Sequence, residues 1–228
     1  GYYRQLTRLS SALAFTADIA MLLLGGALKR KERLSARLGD VLSCLYLAST
    51  ILKRFENDGR PAGDVQLLRW TCDDLLYRAQ DALLDFLRNF PNRPVARLLG
   101  WSIFPWGRSF AIPSDRQGHA LARLLLEPSA TRDRLTGGVY VPNDENETLG
   151  RIEAALRKVI AAEPVEKLLS DAIKKGRVQG YDMEQQIKHA LQAGVVDAVQ
   201  VETLRAAHVA RRAVIQVDDF APEYLSRL

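Results

Sequence analysis

Through the opening part of the chain, apolar side chains recur every three or four residues, the spacing that gathers them on one side of an α-helix. Leu6, Leu9, Leu13, Ala17, Ala20 and Leu24 predict a first helix from about Tyr3 to Leu24. Leu34, Leu38, Val41, Leu42, Leu45, Ala48, Leu52 and Phe55 predict a second over Glu32–Glu56. The turn-forming run NDGRPAG (Asn57–Gly63) must break it. A third begins near Asp64, which reads as its N-cap, and carries Val65, Leu68, Leu75, Leu76, Ala79, Leu83, Phe86 and Phe90 until Pro91 stops it. Three long helices on short links pack antiparallel, with Leu42, Leu45, Leu76 and Leu83 expected where the second and third meet.

The pattern changes at Pro91. Prolines at 91, 94, 105, 113, 128 and 142 leave room only for short helices, and Val95–Ile103 and Ser114–Leu126 are the two that fit. GGVYVPNDENE (Gly137–Glu147) is a polar loop. Beyond it, a helix over Glu147–Ala162 is expected to end where Pro164 opens the next, since proline suits a first helical turn. Gly176 reads as the residue that closes that helix. Asp182 with Gln185 approximates a capping box before Ile187, Ala190 and Leu191. A turn at Gly194 leads to a last helix ending near Ala213. Only Val139–Val141 alternates like a strand. The fold class is therefore all-α: an antiparallel bundle of long helices, a Pro-rich connector, and a cluster of shorter helices. The corresponding divisions are 1–93, 94–146 and 147–228.

Composition adds limits. Of 228 residues, 47% are hydrophobic and 26% charged, enough apolar material for a core in a soluble protein. Ala12–Leu28 is the most apolar window, but it is short for a bilayer span and contains Asp18, so a helix buried in protein is expected. Cys44 and Cys72 fall on apolar faces and read as buried free thiols in a reducing compartment. The net charge is +5, and between Arg88 and Arg134 eight arginines face three carboxylates with no lysine. That segment implies a local basic surface that needs an acidic partner or another explanation.

A search for chemistry finds little. His119, His189 and His208 have no partner at metal-ligand spacing, and the two cysteines make no C-x-x-C pair. No G-x-S-x-G motif occurs, and neither Gly25–Gly26 nor Gly137–Gly138 builds a phosphate loop. The acidic pairs are Asp73–Asp74, expected at a helix start, and Asp218–Asp219 in the tail. No catalytic, cofactor-binding or metal-binding residue emerges.

The ordered set LKRKERLSARLGDVLSCLYLASTILKRF (Leu28–Phe55), DDLLYRAQDALLDFLRNFPNRP (Asp73–Pro94), PSATRDRL (Pro128–Leu135) and VDDFAPEYL (Val217–Leu225) resembles the C-terminal helical region of the long, bacterial-type fatty acyl-CoA dehydrogenases. The resemblance implies a chain cut from a longer enzyme of fatty-acid β-oxidation, active in the bacterial cytoplasm or peripherally on the inner membrane. In such enzymes a glutamate removes the substrate α-proton while the β-hydride passes to FAD. Neither that glutamate nor a flavin-contacting segment has a matching motif here. The resemblance therefore implies FAD in the parent and none in this piece. It also implies partners in the N-terminal flavin and acyl-CoA domains of the same chain, and a homodimer.

Two surface features stand out. Arg97, Trp101, Phe104, Trp106 and Arg108 form an aromatic and basic cluster suited to a membrane interface or a partner. The same rings equally suit the filling of a junction between bundle and tail. KRKER (Lys29–Arg33) is either a solvated run or a contact for an acidic surface. The function classes that remain are a non-catalytic region of a flavin-dependent dehydrogenase serving assembly and membrane docking, and a free-standing helical interaction module. Nucleic acid is disfavoured, because the basic segment is rich in proline and lacks a recognition helix.

Overall fold

The computed structural model describes residues 1–217, all of whose regular structure is helical. The helices group into two units, one ending at Thr136 and the other beginning at Gly137.

In the first unit, α1 (Tyr2–Leu24), α2 (Ala27–Arg30), α3 (Glu32–Asn57) and α4 (Val65–Asn89) are followed by α5 (Arg93–Ile103), α6 (Asp115–Leu126) and α7 (Ala130–Thr136). Helices α3 and α4 form a hairpin along their length, and α1 lies against both. The seam is leucine-rich: Leu34, Val41, Leu45, Ala48 and Leu52 of α3 are buried, as are Leu76, Ala79, Leu83 and Phe86 of α4. Leu42 is the exception. It is 59% exposed, because position 42 falls one residue past the stripe that Val41 and Leu45 define, on the solvent side of the helix. Phe86 and Phe90 stack with ring centroids 5.4 Å apart at the foot of α4. Phe90 leaves the helix in an extended conformation, as the residue before a proline tends to. The Arg93 guanidinium then turns back to donate to the carbonyls of Leu87 and Arg88 (3.2 and 2.6 Å) at the end of α4.

Three further expectations change. The Ala12–Leu28 window is only partly covered: Ala12, Thr16 and Ala20 are buried, while Phe15, Met21, Leu22 and Leu23 face outward. Asp73 and Asp74 sit in the middle of α4, since the helix starts eight residues before Asp73. There Asp73 accepts from the Tyr2 hydroxyl (2.9 Å) and Asp74 pairs with Arg78 (2.8 Å). Both cysteines are free; Cys72 is buried and Cys44 half-buried. Burial pushes the Cys72 thiol up to about 11.

In the second unit, α8 (Thr148–Lys174) packs along α10 (Ala198–Ile215), with α9 (Met183–Gln192) against both. Its core is small-chained: Val165, Leu169, Ala172, Val178, Ile187, Ala190, Val196, Val201 and Leu204. Helix α8 does not end before Pro164; it runs through it. An interior proline loses one hydrogen bond and crowds the preceding turn, at about 3 kcal/mol. Ala162, Val165, Leu169 and Ala172, all buried around it, supply the packing that holds the helix continuous. Gly176 closes α8 with φ +71°, a left-handed conformation that favours glycine. Gly150 is needed for a different reason. A Cβ there would stand 2.1 Å from the Asp144 carbonyl oxygen, so the 142–147 loop closes over α8 only because position 150 has no side chain.

Candidate interaction surface

The polar anchors of the first unit decide where its aromatic residues stand. Gln80, fully buried on α4, accepts from the backbone N–H groups of Ser109 and Phe110 (2.6 and 3.0 Å) and donates to the Phe110 carbonyl (3.0 Å). One amide thus satisfies three backbone groups of a segment with no helix of its own. Arg8 of α1 reaches the other end of that segment. It donates to the Ile103 carbonyl (2.9 Å) at the C-terminus of α5 and lies over the Phe104 ring at 5.9 Å.

Between these anchors the chain makes a tight turn, Phe104–Pro105–Trp106–Gly107, closed by the Gly107 N–H on the Phe104 carbonyl (3.0 Å). Proline at the second position and glycine at the fourth are the residues such a turn prefers. The turn holds Trp106 away from the protein, 95% exposed. Helix α5 contributes the rest. Its buried stripe is Ala96, Leu99 and Ile103, so Arg97, Leu98 and Trp101 occupy the outer face. Trp101 is 70% exposed, Leu98 65% and Ile112 64%.

The five residues singled out in the sequence therefore separate. Arg97 and Trp101 lie on the outer face of α5, and Trp106 is exposed on the turn that follows it. Phe104 does not: it is 5% exposed and belongs to the core, because the turn points it back under Arg8. Arg108 is exposed but tethered to Asp81 at 2.8 Å. Leu98 and Ile112 were missed. The helical register of α5 carries the signal for Leu98; nothing local marks Ile112, which is placed by the Gln80 anchor two residues earlier. The KRKER run is wholly exposed, spanning the end of α2 and the start of α3.

A second constellation lies at the other end of the α3–α4 hairpin. Asp64 does not cap α4 with its side chain. Its carboxylate accepts from the Thr131 hydroxyl (2.5 Å) and from two nitrogens of Arg134 (2.5 and 3.0 Å), tying α7 to the hairpin. The Arg134 hydrogen bonds hold the Asp64 carboxyl below its ordinary range. Gly63 leaves the Thr131 hydroxyl just enough room, since a Cβ there would meet it at 3.0 Å. Beneath this latch Ile51, Phe55, Leu67, Leu68 and Leu135 line an apolar pocket of about 200 Å³. The PSATRDRL segment is thus a structural clasp rather than a reactive motif. Apart from Val217, the VDDFAPEYL segment and the Asp218–Asp219 pair lie outside the described residues.

Among the described residues no cluster of His, Cys, Asp or Glu could hold a metal ion. The pocket under the latch is smaller than the 300–1,000 Å³ typical of cofactor sites. Gly25–Gly26 closes α1 ahead of the four-residue α2, and Gly137–Gly138 forms a turn, so neither builds a phosphate-binding helix start.

The described residues thus combine helices, long-range polar clasps and exposed indoles at Trp101 and Trp106. The family model for the acyl-CoA dehydrogenase C-terminal region, bacterial type, matches residues 1–220, and the chain belongs to that family. No solved structure matches it.

Proposed function

We propose that this chain is the non-catalytic C-terminal region of an FAD-dependent acyl-CoA dehydrogenase of fatty-acid β-oxidation, and that it docks the parent enzyme on the anionic inner surface of the bacterial membrane. The parent's flavin, when bound, accepts the substrate hydride, and it is held by domains of the parent rather than by the residues described here. What supports docking is the exposure of Trp101 and Trp106, together with that of Leu98 and Ile112, within one stretch of the chain. Two bare indoles on one unit are costly in water, and they suit the headgroup layer, where the ring is apolar and the N–H stays wet. Arg97 adds attraction to anionic lipid of up to about 1 kcal/mol near the surface. Assembly of the parent as a homodimer belongs to the same reading.

Co-sedimentation with vesicles tests it. The chain is expected to pellet with phosphatidylglycerol vesicles and far less with phosphatidylcholine, and salt should weaken the binding because exposed charges are screened over about 8–10 Å. Trp101→Ser with Trp106→Ser should abolish binding without changing the helical circular dichroism. Phe104 stays in place, because it is core. Equal recovery of the double variant would refute docking through these rings. Reduction of an electron acceptor by the isolated chain with palmitoyl-CoA would refute the non-catalytic role.

A further inference from the structure

The outer face of α3 is anomalous for a helix in water. From Val41 to Leu52 the sequence VLSCLYLASTIL has no charged residue, and Leu42, Ser43, Tyr46, Leu47, Ser49 and Thr50 are all exposed. A solvent-facing helix ordinarily carries charge on every turn. Leu42, Tyr46 and Leu47 are between 48% and 66% exposed, and a Cβ added to Gly39 would meet nothing within 4 Å. The charges return at both ends of this face with opposite sign. Asp40 precedes the run, and Lys53 and Arg54 follow it.

Helical geometry decides what such a face can accept. Asp40, Leu47 and Arg54 are spaced by seven residues, two turns apart, so they share one edge of the face. When two identical helices pack antiparallel about a two-fold axis, the same edges meet, and residues equidistant from the axis on either side become opposed. With the axis at Leu47, the leucine meets its own copy and Asp40 meets Arg54 of the other chain, twice. Asp40 makes no ion pair or hydrogen bond with any described residue of its own chain. Arg54 uses Nε on Asp58 (3.4 Å) and Nη2 on the Arg134 carbonyl (2.7 Å), leaving Nη1 open. Small residues at 39, 43 and 50 on the middle of the face let the two backbones approach.

We infer that the α3 outer face is an isologous interface, on which a second copy of this chain packs antiparallel about Leu47 with reciprocal Asp40–Arg54 ion pairs. This rests on the homodimer read above and names its surface. Any other partner would need its own reason to present an acid and a base fourteen residues apart in reversed order; a second copy has them by symmetry.

Sedimentation equilibrium of the full 228-residue chain, over about 1–100 µM, tests the inference. The wild type should approach dimer mass across that range. Leu47→Glu should stay monomeric with unchanged helical circular dichroism, since the replaced side chain is exposed. Asp40→Lys should weaken association tenfold or more, and adding Arg54→Glu should restore at least half of what was lost. A monomer at every concentration, or a dimer indifferent to Leu47→Glu, would overturn the interface. A dimer lost with Leu47→Glu but indifferent to Asp40→Lys would overturn the register. Vesicle binding is read separately, through Trp101 and Trp106, so loss of the dimer leaves membrane docking standing or falling on its own result.

Discussion

The unit that ends at Thr136 and the unit that begins at Gly137 are both helical, but different polar contacts hold their ends. In the first, the decisive bonds join residues far apart in the chain: Gln80 to Phe110, Asp64 to Arg134, Arg8 to Ile103. In the second, α9 and α10 start on caps three positions away, as α5 and α6 of the first also do. Asp182 accepts from the Gln185 N–H at 2.8 Å, and Asp197 from that of Gln200, also at 2.8 Å, in a full capping box. The cores differ in the same sense. Phenylalanine and leucine fill the first, while alanine and valine dominate the second. Large side chains leave a proline-rich segment of irregular backbone to be satisfied, and only buried side-chain amides and carboxylates can reach it.

The largest effect should come from the core of the first unit. Leu83 has no exposed surface, so Leu83→Ala is expected to cost about 2–5 kcal/mol. All three tryptophans precede Gly137, which makes indole fluorescence during urea unfolding a reporter for that unit. A cost below about 1 kcal/mol would mean that the α3–α4 seam is not where its stability resides.

Gln80→Ala should follow, at about 1–3 kcal/mol, because it strands part-buried backbone groups of Ser109 and Phe110 and leaves a gap where the fully buried Gln80 side chain stood. Limited proteolysis adds a readout that a generic core defect would not give: cleavage should appear first within 105–112. Uniform cutting across the unit would show that the amide is not what fixes that segment.

These anchors are also the part that sequence reasoning did not find. The periods of α1, α3 and α4 locate those three helices to within a residue or two, because burial on one face imposes its spacing locally. The Asp182–Gln185 cap is legible for the same reason. Gln80 gives no local sign, since a glutamine on a helix looks solvated until the chain returns thirty residues later. Asp64 was readable as a helix start but not as the acceptor for Arg134. Pro164 reads as a boundary because its local preference is strong, and buried neighbours on α8 override it. The aromatic cluster was visible as a composition; which rings face water depends on the turn at Pro105 and on Arg8.

Asp64→Asn should be milder, at roughly 1–2 kcal/mol near neutral pH, as one charge-assisted pair is weakened. Its pH dependence distinguishes it. The folded-state carboxyl is depressed below its unfolded value, so its contribution is complete above about pH 4 and fades as pH falls through the lower folded value. The gap in urea midpoint between wild type and Asp64→Asn should therefore close on acidification. A gap that is constant from pH 7 to about pH 3 would mean that the Arg134 pair is not its source.

In the second unit, Asp197→Ala should cost about 1 kcal/mol, the usual value of an N-cap. The loss should be local, seen as faster hydrogen exchange at the Gln200 amide, which donates to the Asp197 carboxylate. Unchanged exchange there would remove the claim that short-range caps hold this unit.

The smallest effect tests the comparison at a single helix. Leu42 and Leu45 are both leucines on α3, three residues apart, and both suit a helical stripe, yet one is 59% exposed and the other 5%. Leu45→Ala should cost about 2–5 kcal/mol, whereas Leu42→Ala should stay within about 0.5 kcal/mol, because truncating an exposed side chain leaves no cavity. The measurement belongs at low micromolar concentration, where association through the α3 face contributes least to stability. A large loss for Leu42→Ala under those conditions would mean that this face is covered within a single chain, and the open side of α3 would cease to be a surface at all.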